Sequence, residues 1–129
     1  MNKFISIIFL FLFSLPSFAE WLKFGETVEK NIFYYETKSI KRKSDFIYYH
    51  QMIDLLEPMN MGNKYILSIK SYIKVDCNTY NLRVESLKSF DEPLGAGTMV
   101  SSEVYGDEWE IPKYGSIDSN LNKYLCKNY

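Results

Sequence analysis

The chain has 129 residues, with 15 Lys and Arg against 16 Asp and Glu, and this balance gives no electrostatic case for nucleic acid as a partner. One histidine and two cysteines are too few ligands for the common zinc sites. The 11 Tyr and 9 Phe are residue types that favour strands, so a β-rich domain is expected.

The first element is a leader. "MNKFISIIFLFLFSLPSFAE" combines a basic Lys3, an uncharged stretch over residues 4–15, a break at Pro16, and small residues at Ser17 and Ala19. That is the pattern of a secretory signal peptide over residues 1–19, cut before Glu20. Its apolar stretch is well short of the roughly 20 residues a membrane-spanning helix needs, so an uncleaved anchor is the weaker reading. The cleavage region has no cysteine, so no lipid anchor is expected, and no later segment is apolar enough to span a membrane. Residues 20–129 then form a single exported domain, periplasmic or secreted. Lys3 leaves with the leader, so the mature chain is two charges below neutral.

Three candidate strands follow, at 21–24, 32–35 and 46–55, separated by Gly25-Glu26 and by a basic segment over 38–45. The third is aromatic on both faces, so its inward side is not set by periodicity. "EPMNMGN", residues 57–63, reads as a loop because Pro58 and Gly62 break regular structure. From residue 64 to 77 the odd positions Tyr65, Leu67, Ile69, Ile73 and Val75 are apolar while Ser68, Lys70, Lys74 and Asp76 alternate with them. A period of two predicts a half-buried strand with Cys77 on its apolar side. After a turn at Asn78-Thr79, Tyr80, Leu82 and Val84 predict the returning strand of an antiparallel hairpin, with Asn78 suited to a left-handed turn position. "DEPLGAG" is another loop, 98–105 another strand, and 106–113 an irregular acidic stretch carrying Trp109. Ile117, Leu121, Tyr124 and Leu125 then change the period to that of a short helix, with Ser116 or Gly115 as N-cap, Asp118 in its first turn and Lys123 in its last. So short a helix must pack on the sheet to be stable.

The side chains able to carry chemistry are few. An even number of cysteines in an exported chain predicts a disulfide between Cys77 and Cys126; a redox pair would need closer spacing, and a metal site would need more histidines. His50 sits inside a tyrosine-rich strand with no nucleophile-elbow glycines around it, so it reads as a sheet-surface residue. The carboxylates at Asp91-Glu92 and Asp107-Glu108-Glu110 could hydrolyse glycosides only if the fold joined them over a cleft. "GAG" at 95–97 lacks the Lys-Ser/Thr of a phosphate loop. No catalytic, cofactor or metal set is therefore expected, and the protein reads as a non-enzyme. One charge concentration remains: Lys38, Lys41, Arg42 and Lys43, able to meet an acidic surface or simply to hydrate a loop.

The order of parts carries a resemblance. "WLKFGET", "IFYYETKSIKRK", "YIKVDC", "GAGTMVSSE", "EWEIPKYGS" and "SIDSNLNKYLC" occur in sequence over residues 21–127, and together they resemble the surface-adhesin protein E family. The resemblance implies an α+β fold: an antiparallel sheet of five to six strands, one C-terminal helix packed on it, and a disulfide joining strand to helix. It also implies a non-enzymatic protein-binding domain that can dimerise, an adhesin for host matrix or serum proteins such as vitronectin and laminin. Glu36-Thr37 and Tyr48 stand where the family pattern has Asp-Pro and Trp. The surface-exposed adhesins of that family are lipid-anchored through a cysteine that has no counterpart here. The alternative is a periplasmic inhibitor of a wall-degrading enzyme such as lysozyme, with 57–63 or 107–110 as the inserted loop; a carboxylate hydrolase ranks third.

Overall fold

The computed structural model describes residues 20–129; the expected leader lies outside them. Seven strands form one antiparallel sheet: β1 Trp21–Glu26, β2 Ile32–Glu36, β3 Lys41–Lys43, β4 Phe46–Met61, β5 Lys64–Asp76, β6 Leu82–Phe90 and β7 Met99–Val104. One helix, α1 Ile117–Asn128, closes the chain. The spatial order is β1-β2-β4-β5-β6-β7, and β3 shares the β2 side of β4. Along that side β3 takes residues 46–48 and β2 takes residues 51–54. β3 is the strand that the basic segment concealed, because lysines and arginine carry no apolar alternation.

The long third strand resolves its two aromatic faces. Ile47, Tyr49 and Gln51 turn toward α1, and Phe46, Tyr48 and His50 turn away. On the helix side Tyr35, Ile47, Tyr49, Ile73, Val75 and Leu82 meet Leu121 and Leu125 in one buried cluster. Phe24, Tyr35 and Tyr124 close its edge, with ring centroids 5.9–6.2 Å apart. Burial holds the Tyr49 hydroxyl well above the usual phenol range, with the Asp118 carboxylate adding to the effect.

The helix begins where the sequence indicates, at Ser116, whose Oγ accepts from Ser119 N–H at 3.2 Å. It runs one turn further than expected, so Lys127 and not Lys123 occupies the last turn. Cys126 in that turn is bonded to Cys77, with Cα atoms 5.6 Å apart. The staple therefore joins the end of β5 to the end of α1.

Twelve helical residues span about 18 Å, whereas the 13 residues of β5 span about 44 Å. The helix can cover only the Cys77 end of the strand. This is why the odd-position pattern fails at the other end: Tyr65 is 58% exposed, while Ile66 and Ser68 on the opposite face are buried. The segment 91–98 crosses that opposite face, with Ser68 Oγ donating to Glu92 O at 2.6 Å and accepting from Gly95 N–H at 2.9 Å. Gly95 has φ +68 and lies against Lys70, so an L side chain there would be strained and crowded.

Two local expectations need correction. "EPMNMGN" is not a loop: β4 continues through Met61, and a two-residue turn at Gly62-Asn63 leads directly into β5. The pairing register shifts between Asp54 and Met59, which lets the ladder absorb Pro58, and Gly62 at φ +63 starts the turn. After Cys77 the left-handed residue is Tyr80, at φ +62, not Asn78, and β6 starts only at Leu82. Tyr80 is held from the helix: its carbonyl accepts from Asn122 Nδ2 at 2.9 Å.

Candidate binding surfaces

The sheet has one face under α1 and one that α1 does not touch. On the second face the alternation of β3, β4 and β5 brings matching positions side by side, since Lys43 pairs with Phe46, and Lys41 with Tyr48, which in turn pairs with Lys74. The basic segment is thereby divided. Arg42 points the other way and donates from Nη1 to Cys126 O at 2.9 Å and Tyr129 O at 3.0 Å. It ties down the C-terminal end of the helix, where a cation is favourable. Lys38 lies in the turn before β3.

Lys74 and Lys43 of this face rest on aromatic rings. Lys74 Nζ is 4.3 Å from the Phe46 centroid, 5.4 Å from Tyr48 and 5.8 Å from Trp109. Lys43 Nζ is 5.7 Å from Tyr48. Trp109 stacks on Phe46 at 6.2 Å, placed there by a bridge in which Leu82 and Glu110 exchange backbone hydrogen bonds of 3.0 and 2.7 Å. Tyr48 stacks on Tyr72 at 6.1 Å, and His50 lies 4.6 Å from Tyr72. Ser39 Oγ is 3.0 Å from His50 Nδ1. Partial burial pulls the His50 imidazole below its ordinary range; Glu36 opposes this, while Lys70, Lys88 and Lys41 add to it. Among the described residues the ion pairs are Lys23 with Glu26, and Arg83 with Glu85 and Asp107, so Lys41, Lys43 and Lys74 carry no carboxylate partner there.

The second surface is the free end of the β4–β5 hairpin. β2 leaves β4 at Asp54 and β6 leaves β5 at Ser68, so residues 59–61 and 64–66 pair only with each other. This arm exposes Met59 and Met61 at nearly half of their surface, together with Tyr65 and Leu56. Exposed methionines on a projecting element present a soft apolar contact.

The two carboxylate groups singled out from sequence stand apart. Asp91 and Glu92 follow the end of β6, whereas Glu110 pairs with its first residue, about 27 Å away along the strand. Carboxylates acting together on a glycoside lie within roughly 10 Å. Asp91 Oδ1 is occupied by Thr98 N–H at 2.7 Å, which closes the 91–98 loop. Asp107, Glu108 and Glu110 instead rim a cavity of about 510 Å³ beside Val84 and Leu87.

A family model for surface-adhesin protein E matches residues 21–127. The chain belongs to the surface-adhesin protein E family. Its fold is that of Haemophilus influenzae protein E, whose crystal form II superposes with a TM-score of 0.68 over 84% of this chain and 88% of that one, at 16% identity. Protein E from non-typeable Haemophilus influenzae superposes with a TM-score of 0.65 over 84% and 76%, again at 16% identity. No individual curated protein matches by sequence. Membership of this family implies an exported, adhesin-type protein. Among the described residues no helix is long and apolar enough to cross a membrane. The Trp expected in the third strand is replaced by Tyr48, but an indole still reaches that neighbourhood, supplied by Trp109 from outside the strand.

Proposed function

We propose that this protein is a non-catalytic binding module that attaches to a host matrix or serum protein through the projecting β4–β5 arm. The observation that carries the reading is the arm itself: Met59, Met61 and Tyr65 are exposed at the end of the β4–β5 hairpin, where residues 59–61 and 64–66 pair only with each other, and Leu56 is exposed beside it. A rigid hairpin of this kind loses little conformational freedom on docking, and its apolar side chains gain on desolvation. Family membership supports a protein partner.

The test is saturable binding of the purified protein to immobilised vitronectin and laminin, compared with a Met59→Glu/Met61→Glu variant of unchanged thermal midpoint. Micromolar binding that the variant loses at least tenfold supports the reading. Absence of binding to either ligand, or equal binding by the variant, rejects it.

The same arm also favours a second reading, insertion into the cleft of a wall-degrading enzyme. A lysozyme assay separates the two. Full lysozyme activity at tenfold excess of this protein ends the inhibitor reading.

A further inference from the structure

We propose that the sheet face turned away from α1 is a binding site for an acidic polysaccharide, a polymer of sugar rings bearing carboxylate or sulfate groups. The site is independent of the arm. Its core is Lys41 and Lys43 on β3 and Lys74 on β5, the two strands that flank β4, interleaved with Tyr48, Tyr72 and Trp109.

Charge complementarity names the occupant. The ammonium groups of Lys43 and Lys74 lie over rings, and none of the three lysines is paired with a carboxylate among the described residues, so their charge is not cancelled by an ion pair there. Lys74 is half-buried, with its ammonium group already seated against Phe46, so an arriving anion displaces less ordered water and fixes fewer rotamers than at a free surface lysine. Lys41 and Lys43 are two residues apart on β3, and Lys74 on β5 lies two strand spacings away, about 10 Å, so the three cations form a compact triangle matched to anionic groups repeated along a polymer.

The position of the lysines selects among anionic polymers. β3 pairs only with β4, but an acidic peptide added as a strand along its outer edge would lie in the plane of the sheet and not over the face where Lys41, Lys43 and Lys74 stand together. The rings offer flat apolar surface between charges, which suits the C–H faces of sugars. A nucleic acid strand shares the alternation of anion and flat ring, so oligo-dT is included as a competitor in the test.

Heparin is the probe, with the fluorescence of Trp109 in a Trp21→Phe background and titration calorimetry as readouts. Binding is expected to weaken steeply with salt. A Lys41→Gln/Lys43→Gln variant, altering two exposed side chains, is expected to bind at least tenfold more weakly, and Lys74→Gln to weaken binding further if its thermal midpoint is kept. Lys113→Gln/Lys127→Gln removes the same charge elsewhere and is expected to change affinity less than twofold. Met59→Glu/Met61→Glu is also expected to leave heparin binding intact, so failure of the arm does not imply failure of the face. Equal losses from the two lysine pairs, binding of uncharged dextran as tight as heparin, tighter binding of poly-glutamate or oligo-dT, or no heparin binding at low salt would each overturn the proposal.

Discussion

Replacing Cys77 with Ala opens the one covalent link between sheet and helix, and its effect can be worked from the geometry. The bond spans 49 positions, and in the chain-entropy model closing a loop of that length costs the unfolded chain about 4 kcal/mol. The native state should change little. Leu121 and Leu125 remain fully buried, Arg42 still holds the carbonyls of Cys126 and Tyr129, and Asn122 still binds the Tyr80 carbonyl. The loss therefore falls on the unfolded ensemble, and for a domain of this size it corresponds to a drop of roughly 15–25 °C in thermal midpoint. Circular dichroism should give the same far-ultraviolet spectrum at 20 °C with and without reductant, and a single transition at the lower temperature in the reduced protein. Equal midpoints would refute the reasoning. A reduced protein that has lost its helical signal before melting would show that the bond holds the helix in place, not merely the unfolded chain together.

Leu121→Ala empties the centre of the helix contact and should cost about 2–5 kcal/mol in urea unfolding. Arg42→Ala removes the clamp on the last helical turn and should cost about 1 kcal/mol, with faster amide exchange confined to residues 124–129. His50 has a folded pKa below its unfolded value, so between the two the unfolded chain binds more protons and stability rises with pH. Its contribution is complete above the ordinary histidine range and is lost as pH falls through the folded value. The drop in thermal midpoint from pH 7.5 to pH 5 should accordingly be smaller in His50→Gln than in the parent.

Period-two alternation in Ile73, Val75, Leu82 and Val84, and the 3.6-residue stripe of Leu121 and Leu125, were enough to read the hairpin, the helix and the contact between them. Both patterns come from burial on one side, and they hold where the helix reaches. At Tyr65 the pattern points inward and the structure points outward, because α1 is too short and a remote loop covers Ile66 on the opposite face. Pro58 and Gly62 signalled a loop by local propensity, yet pairing of Met59 with Ile66 and Met61 with Lys64 continues the ladder around them. Tyr80 adopts a left-handed backbone that its own side chain disfavours, and the group that binds its carbonyl lies 42 residues further on. In each case tertiary contact overrides a preference that only neighbouring residues could express.

The face proposed for acidic polysaccharide was less legible for a different reason. Whether a lysine is available to a ligand depends on what faces it across the sheet, and adjacent sequence does not say. "KRK" looks like one basic block, yet a strand divides it: Arg42 is consumed by the helix terminus while Lys41 and Lys43 reach the opposite surface. Lys74 looks like an ordinary solvated position in an alternating strand, and only the approach of Trp109, brought in by the Leu82–Glu110 bridge, encloses it with rings on two sides. The chain's charge of −1 conceals this further, because it averages a face of lysines with loops that hold Asp91, Glu92, Asp107, Glu108 and Glu110. Exclusion of an anionic partner from total charge is therefore valid for the sum and not for the face. A short-range attraction screened within about 10 Å responds to the local cluster of ammonium groups more than to Asp91 and Glu92, which follow the distant end of β6.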